Sequence, residues 1–361
     1  MRISFYASSL VSCYWNGAAT YYRGLVRALA ARGHEVTFFE PDAYGRQQNR
    51  DMADPDWARV VVWPATEAGM ARALEQGRHA DLIVKASGVG VFDAELEAGV
   101  LSLRRPGNLV AFWDVDAPAT LDRVEKNEDD PFAALIPRYD LVFTYGGGDP
   151  VVRAYERLGA RRCVPIYNAL DPATHHPVPP APRFRAELGF LGNRLPDREA
   201  RVDAFFFKAA EALPEARFLL GGAGWESRAM PENVRYLGHV GTADHNAFNA
   251  SVKAVLNINR ASMARYGFSP PTRVFEAAGA GACLITDAWE GIEQFLEPGR
   301  EVLVAQDGTG VAAHLAALDP ERARTIGAAA RAKVLARHTY DQRAAEVERV
   351  LAGRDLGEEA A

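Results

Sequence analysis

Apolar runs of four to six residues recur along the chain, separated by longer stretches in which polar and apolar positions mix at helical spacing. In the first half they fall at 35–40, 60–63, 81–86, 108–113 and 140–145, and the N-terminal Met1-Arg2-Ile3-Ser4-Phe5-Tyr6 enters another. Continuous apolar runs, rather than alternating ones, suit parallel strands covered on both faces. Asp130-Pro131 and Asp149-Pro150 supply helix starts, with aspartate as cap and proline in the first turn. The pattern is a βαβ series. It is interrupted by Pro172-Ala173-Thr174-His175-His176-Pro177-Val178-Pro179-Pro180-Ala181-Pro182, too proline-dense for a helix or a central strand, and restarts with runs near 187–191, 217–221, 234–238, 254–259, 282–286 and 301–305. Asp319-Pro320 opens a helix to about Arg337, and Thr339-Tyr340-Asp341-Gln342 reads as a capping box that restarts it. The last residues, Gly357 to Ala361, are expected to fray.

The fold expected from this pattern is α/β, with two doubly wound Rossmann-like domains facing a cleft. The expected segments are a domain over 1–171, a proline-rich linker over 172–183, a second domain over 184–337, and a terminal helix over 338–361 that crosses back to the first domain. Ligands of such sheets bind at the carboxyl ends of the strands.

A length of 361 residues agrees with two cores rather than one. The net charge of −6 argues against nucleic acid as a partner, because phosphate neutralisation needs a basic surface. Lysine occurs only at 85, 126, 208, 253 and 333, so arginine carries the basic chemistry, and its planar fork suits phosphate. Cys13, Cys163 and Cys283 are odd in number and widely spaced, as expected of reduced thiols. No secretion signal or run long enough to cross a bilayer is visible, so the cytoplasm is the expected location, with peripheral membrane association compatible.

The most informative stretch runs from Gly267-Phe268-Ser269-Pro270-Pro271-Thr272-Arg273-Val274-Phe275-Glu276 through Ala277-Ala278-Gly279-Ala280-Gly281 to an apolar strand ending at Asp287. Its small residues let the helix approach the sheet and bring its N-terminal amides and Arg273 towards an anion. Glu276 is then placed to accept bonds from two ribose hydroxyls. The glycine-containing segments Gly192-Asn193-Arg194-Leu195-Pro196-Asp197-Arg198, Gly221-Gly222-Ala223-Gly224 and Gly238-His239-Val240, and the stretch Asn257-Ile258-Asn259-Arg260, each end a predicted strand.

Over about residues 186–350 these motifs resemble the nucleotide-sugar glycosyltransferases of the GT-B fold, in particular the glycosyltransferase group 1 branch with CgeB-like (spore maturation) proteins. The likeness rests on Glu276 to Gly281, on Trp289-Glu290-Gly291-Ile292-Glu293, and on the Pro-Pro-x-Arg-x-Phe-Glu form at 270–276. It implies a UDP-sugar or related donor, with Glu276 on the ribose, Arg194 and Arg198 on the diphosphate, and His239 near the base. Arg273, Arg260, Asn259 and Gly291 complete the implied donor set. Many relatives carry a second glutamate where this chain has Phe268, so sugar choice does not carry over.

In the first half, Trp113-Asp114-Val115-Asp116-Ala117-Pro118 ends an apolar strand. Asp114 is the expected general base for the acceptor hydroxyl, and Asp116 a secondary group or the cap of the next helix. Asn16 and Gly17 follow the first strand as acceptor-side candidates. The function expected is metal-independent transfer of a sugar to an acceptor hydroxyl, with no cofactor. Alternatives are a non-catalytic binding relative, an NDP-sugar epimerase, and a metal-dependent GT-A enzyme using Asp114-Val115-Asp116. Gly88-Val89-Gly90 is a weak dehydrogenase signal because it lacks the third glycine. His175-His176 is not expected to hold a metal, since the sequence places no third ligand beside it.

Overall fold

A computed structural model of the chain describes residues 1–127 and 129–353. It contains two sheets, both entirely parallel. The first comprises β1 (Arg2–Tyr6), β2 (Glu35–Asp42), β3 (Arg59–Pro64), β4 (Leu82–Ala86), β5 (Leu109–Asp114), β6 (Leu141–Thr144) and β7 (Cys163–Pro165), in the order β3-β2-β1-β4-β5-β6-β7. The second comprises β8 (Ala186–Leu191), β9 (Phe218–Gly221), β10 (Val234–Tyr236), β11 (Val252–Asn257), β12 (Leu284–Asp287) and β13 (Leu303–Ala305), in the order β10-β9-β8-β11-β12-β13. Each sheet reverses direction of growth beside its first strand, between β1 and β4 and between β8 and β11. Such a reversal leaves a crevice outside the carboxyl ends of the two strands.

The apolar runs form these strands because both faces are covered. In the first sheet Phe5 pairs in register with Phe38 and Val84, and Phe5 and Phe38 stack at 5.6 Å. Lys85, in the middle of β4, is fully buried and answered by Asp93 at 2.5 Å and Glu97 at 3.6 Å, since a buried ammonium is tolerated only when paired. In the second sheet Leu188, Phe190, Leu220, Leu256 and Ile285 meet Phe205, Phe206 and Phe207. Those three phenylalanines lie on a π-helical turn, Asp203–Phe207, inside a longer helical stretch. The extra residue in that turn aims consecutive rings inward.

The chain divides into two compact units. One is Met1–Asn168 together with the chain from Tyr340 onward; the other is Ala169–Thr339. The first crossing therefore precedes the proline-dense stretch, and 172–183, expected to be a linker, belongs to the second unit. There it is pinned rather than free: the Asn246 side chain donates to the Thr174 carbonyl and accepts from the His176 amide, and the Ala181 amide donates to Ser251. Helix Tyr340–Leu351 packs in the first unit on helix Ala19–Ala31, where Gly24 leaves room for the Tyr340 ring and Arg32 and His34 pair with Glu348. The terminal residues expected to fray lie outside the described residues. No described helix is long and apolar enough to cross a membrane.

Candidate functional site

The reversal between β8 and β11 gathers most of the predicted donor residues. After β8 the chain runs over the end of β9 with backbone against backbone: the Gly192 amide donates to the Gly221 carbonyl and the Arg194 amide to the Ala223 carbonyl. A Cβ on Gly222 would lie 2.2 Å from the Gly192 oxygen, so this residue has to be glycine, and its φ of +130° also requires it. The Gly222 amide in turn donates to the Gly238 carbonyl, joining the end of β10 to the other two. His239 stands exposed beside this junction.

Three arginines lie at the junction, two of them held by acids. Arg194 meets Glu199 at 2.5 Å and donates to Ser227 at 3.1 Å, while Arg260 meets Asp197 at 2.6 Å. Arg198 reaches the Asn193 carbonyl at 3.4 Å. The Arg194–Glu199 and Arg260–Asp197 side chains are about 27–33% exposed, and ion pairs so open to water gain little. They can exchange a carboxylate for a phosphate at small cost.

A fourth arginine, Arg201, is not legible in the sequence motifs. Arg201 donates to the Asn259 carbonyl and contacts Asp287 at 2.6 Å. Asp287 is fully buried at the end of β12; it accepts the Asn259 amide and the Thr286 hydroxyl. Burial pushes its carboxyl up, against the pull of Arg201. Asn259 is likewise fully buried and spends its side chain on Asn257 and the Ser269 carbonyl. It braces the crevice rather than facing it. The available signal for Arg201 was its place one helical turn after Arg198 on helix Pro196–Val202.

Helix Thr272–Gly279 starts after Pro271 and buries every residue from Val274 on. Gly279 packs against Leu170 and the His175 carbonyl, where a Cβ would come within 2.3 Å of Leu170. Glu276, on the same face one turn earlier, is only 4% exposed. Arg273 lies 3.9 Å from it and is half-buried. Burial raises the Glu276 carboxyl, but the charges of His175, Arg273 and His245 and the Thr272 hydroxyl outweigh it and hold the group below its usual value. Burial pushes His245 down to about 4, against the pull of Glu276. One nitrogen of His175, one of His245 and one Glu276 oxygen lie within 4.8 Å of one another. The third and second partners that the sequence does not show beside His175 are thus supplied by two distant helices.

Phe268, at the position where relatives carry a second acid, has a φ of +44° and donates its amide to the Glu290 carbonyl. Its ring lies over Gly291, where a Cβ would sit 2.2 Å away. The glycine is required to seat the ring, which ties the loop before the helix to the loop after β12.

In the first unit the expected base, Asp114, lies at the end of β5 inside the protein. Asp114 is completely buried. Its Oδ1 accepts from Ser87 at 2.7 Å, from the Asp116 amide at 3.0 Å and from Thr120 at 3.0 Å, and its Oδ2 accepts from Tyr155. Four protein donors and complete burial enclose the carboxylate, which leaves no open path to it for an acceptor hydroxyl. Burial raises its pKa against the help of these bonds. Asp114 therefore locks the turn between β5 and helix Ala117–Lys126. Asp116 occupies the cap position of that helix without a side-chain capping bond. It lines a cavity of about 230 Å³ with Ser87, Asp93, Glu97, Thr120 and Arg123, at the carboxyl ends of β4 and β5.

Asn16 is also used internally: its amide donates to the Ser9 and Ser12 carbonyls and its oxygen accepts from Ser8. It stitches the loop after β1, with both amide hydrogens spent on that loop. Gly17 is exposed, and a Cβ there would meet nothing within 4 Å. The same edge of the sheet exposes Tyr14, Trp15 and Tyr44, the last two with φ of +47° and +56°. Side chains held in this region cost energy and persist where the surroundings impose them, as the bond from Tyr44 to the Gly90 carbonyl does.

Residues 198–349 match the family described as "Glycosyl transferase-like". No curated protein matches the chain in sequence. Among solved structures it is similar to sucrose-phosphate synthase from Thermosynechococcus elongatus (TM-score 0.70, 15% identity, 98% of each chain covered). It is also similar to Anabaena Alr3699/HepE in complex with UDP and glucose (TM-score 0.67, 14% identity, 98% of this chain and 100% of that one). An alpha-glucosyltransferase in complex with UDP-glucose and DNA containing an abasic site gives a TM-score of 0.73 at 12% identity, with 98% of this chain and 99% of that one covered. The chain has the GT-B glycosyltransferase fold, with one parallel α/β sheet in each unit. A single-domain GT-A architecture is thereby set aside, and with Asp114 sealed, Asp114-Val115-Asp116 offers no open carboxylate pair.

Proposed function

We propose that this chain is a glycosyltransferase of the CgeB-like branch that moves a sugar from a nucleoside-diphosphate sugar, a UDP-sugar foremost, to an acceptor hydroxyl. The observation that carries this reading is the β8/β11 reversal with its two exchangeable arginine pairs, followed by the helix that bears Glu276. The Anabaena neighbour holding UDP and glucose supports the choice of donor.

Arg194 and Arg260 release Glu199 and Asp197 and take the diphosphate, so its charge is met by guanidinium groups rather than by a bound cation. Glu276 turns from its histidine and arginine neighbours to the ribose. His239 flanks the base. Such charge-assisted contacts stabilise the leaving diphosphate as the glycosidic bond breaks. On the acceptor side Asp116, rather than Asp114, is the carboxylate placed to take the hydroxyl proton. Exposed Tyr14, Trp15 and Tyr44 suit the apolar face of an acceptor sugar. The chain works in the cytoplasm, free or at a membrane surface.

The test is release of UDP from UDP-sugars, measured with and without EDTA. Turnover that persists in EDTA and falls about 10²-fold or more in Asp116→Ala supports the reading, that being the usual worth of a general base. Turnover abolished by EDTA and restored by manganese contradicts it.

A further inference from the structure

The buried face of helix Thr272–Gly279 carries a cluster of which the proposed transfer uses only Glu276. His175, from the proline-dense stretch, and His245, from helix Thr242–Ser251, converge on Glu276. The His175 Nε2 and His245 Nδ1 atoms are both buried without a hydrogen-bond partner. Two such nitrogens in one place are uncommon, because a buried polar atom left unsatisfied costs free energy. On the far side of the His245 ring, Nε2 lies 3.3 Å from the Val240 carbonyl. A carbonyl can only accept, so it selects the tautomer with hydrogen on Nε2 and leaves a lone pair on the buried Nδ1. A backbone carbonyl that orients the outer nitrogen of a ligating imidazole is the usual support of a metal-bound histidine.

We propose that His175, His245 and Glu276 form a binding site for a divalent transition ion of the zinc type, and that its occupation withdraws Glu276 from the nucleotide ribose. Two neutral imidazoles and one carboxylate are a three-ligand set that Zn²⁺ accepts, leaving a position for water. Ligand distances of about 2.0–2.2 Å would draw atoms now within 4.8 Å together by roughly 1 Å, within the reach of side-chain rotation. Arg273, 3.9 Å from Glu276, adds a positive charge that opposes any cation. It selects against ions held mainly by charge, such as Mg²⁺ and Ca²⁺, and in favour of ions that bond well to imidazole nitrogen. The metal site itself stands on the geometry alone. Only the competition with nucleotide rests on the proposed ribose role of Glu276.

The full-length chain, stripped with EDTA and transferred to chelator-free buffer, is titrated with Zn²⁺ by calorimetry and with Co²⁺ by visible absorption, without nucleotide. One equivalent of Zn²⁺ should bind, and Co²⁺ should give ligand-field bands that excess Zn²⁺ removes. His175→Phe, which fills the buried position with an aromatic ring of similar size, should lower Zn²⁺ affinity by at least about tenfold, as should His245→Ala and Glu276→Gln. His176→Ala, altering the exposed neighbour, should leave it unchanged. Absence of binding to the wild-type chain, or binding that survives His175→Phe and Glu276→Gln, would overturn the proposal. A thermal shift with UDP in EDTA on the same variants separates the two readings. His175→Phe should lose Zn²⁺ and keep the UDP shift, and Zn²⁺ should weaken UDP binding in the wild type but not in His175→Phe. Simultaneous, non-competitive binding of Zn²⁺ and UDP would contradict the withdrawal of Glu276.

Discussion

Asp114 and Asp116 are two residues apart and have opposite physical situations. Because Asp114 takes four hydrogen bonds in a fully buried site, its replacement acts on folding: Asp114→Ala should cost about 2–4 kcal/mol in denaturant unfolding, the sum expected when buried donors lose their acceptor. Burial also makes the carboxyl bind its proton more tightly in the folded chain than in the unfolded one, where the ordinary value is 3.8. The folded state then holds more protons between those two values, so this group's contribution to stability falls as pH rises from about 4 through the raised value and is level beyond it. Unfolding curves across that range should show this downward slope in the wild type and a shallower one in Asp114→Asn, which does not titrate. An equal slope in both would contradict the assignment. From sequence the pair was legible only as acids at a strand end. Which of them was enclosed depended on Ser87, Thr120 and Tyr155, brought there by the fold. The same holds for Asn16, a loop stitch by virtue of carbonyls at Ser9 and Ser12.

At the scale of elements, helix Thr272–Gly279 was readable because its composition is its function: small residues permit close packing, and proline and glycine mark its limits. Gly279→Val should destabilise the chain by about 1–3 kcal/mol in chemical denaturation, since its side chain would meet Leu170 and the His175 carbonyl. If instead the variant is as stable as the wild type, the helix is not seated as described. The long apolar runs were likewise legible as strands. The three-residue β7 was not, because Cys163–Pro165 is too short to show a period and ends in proline. The π turn at Asp203–Phe207 and the Arg201–Asp287 contact also escaped, since neither leaves a local pattern. The cluster of His175, His245 and Glu276 joins three separate elements, which no spacing in one of them could announce.

For the molecule as a whole, the repeat of the strand pattern predicted two doubly wound sheets, and each sheet has the order that opens a crevice beside its first strand. The proline-dense stretch lies within the second unit, which its composition does not announce, because proline marks irregular backbone without saying which unit holds it. The return of the terminal helix to the first unit depends on the notch at Gly24. Gly24→Val should therefore expose the sequence after Thr339 to limited proteolysis, whereas an unchanged digestion pattern would contradict that packing. The central claim, a nucleotide-sugar site at the β8/β11 reversal, is tested most directly by melting the wild type and Glu276→Ala with a panel of UDP, GDP, ADP, dTDP and CMP. A ligand that binds only the folded state raises the melting temperature. The account predicts a shift with a nucleoside diphosphate, UDP most of all, that is weakened about 10- to 100-fold in apparent affinity by Glu276→Ala, the worth of hydrogen bonds to a charged group. No shift with any of these nucleotides, or an undiminished one in Glu276→Ala, would contradict it.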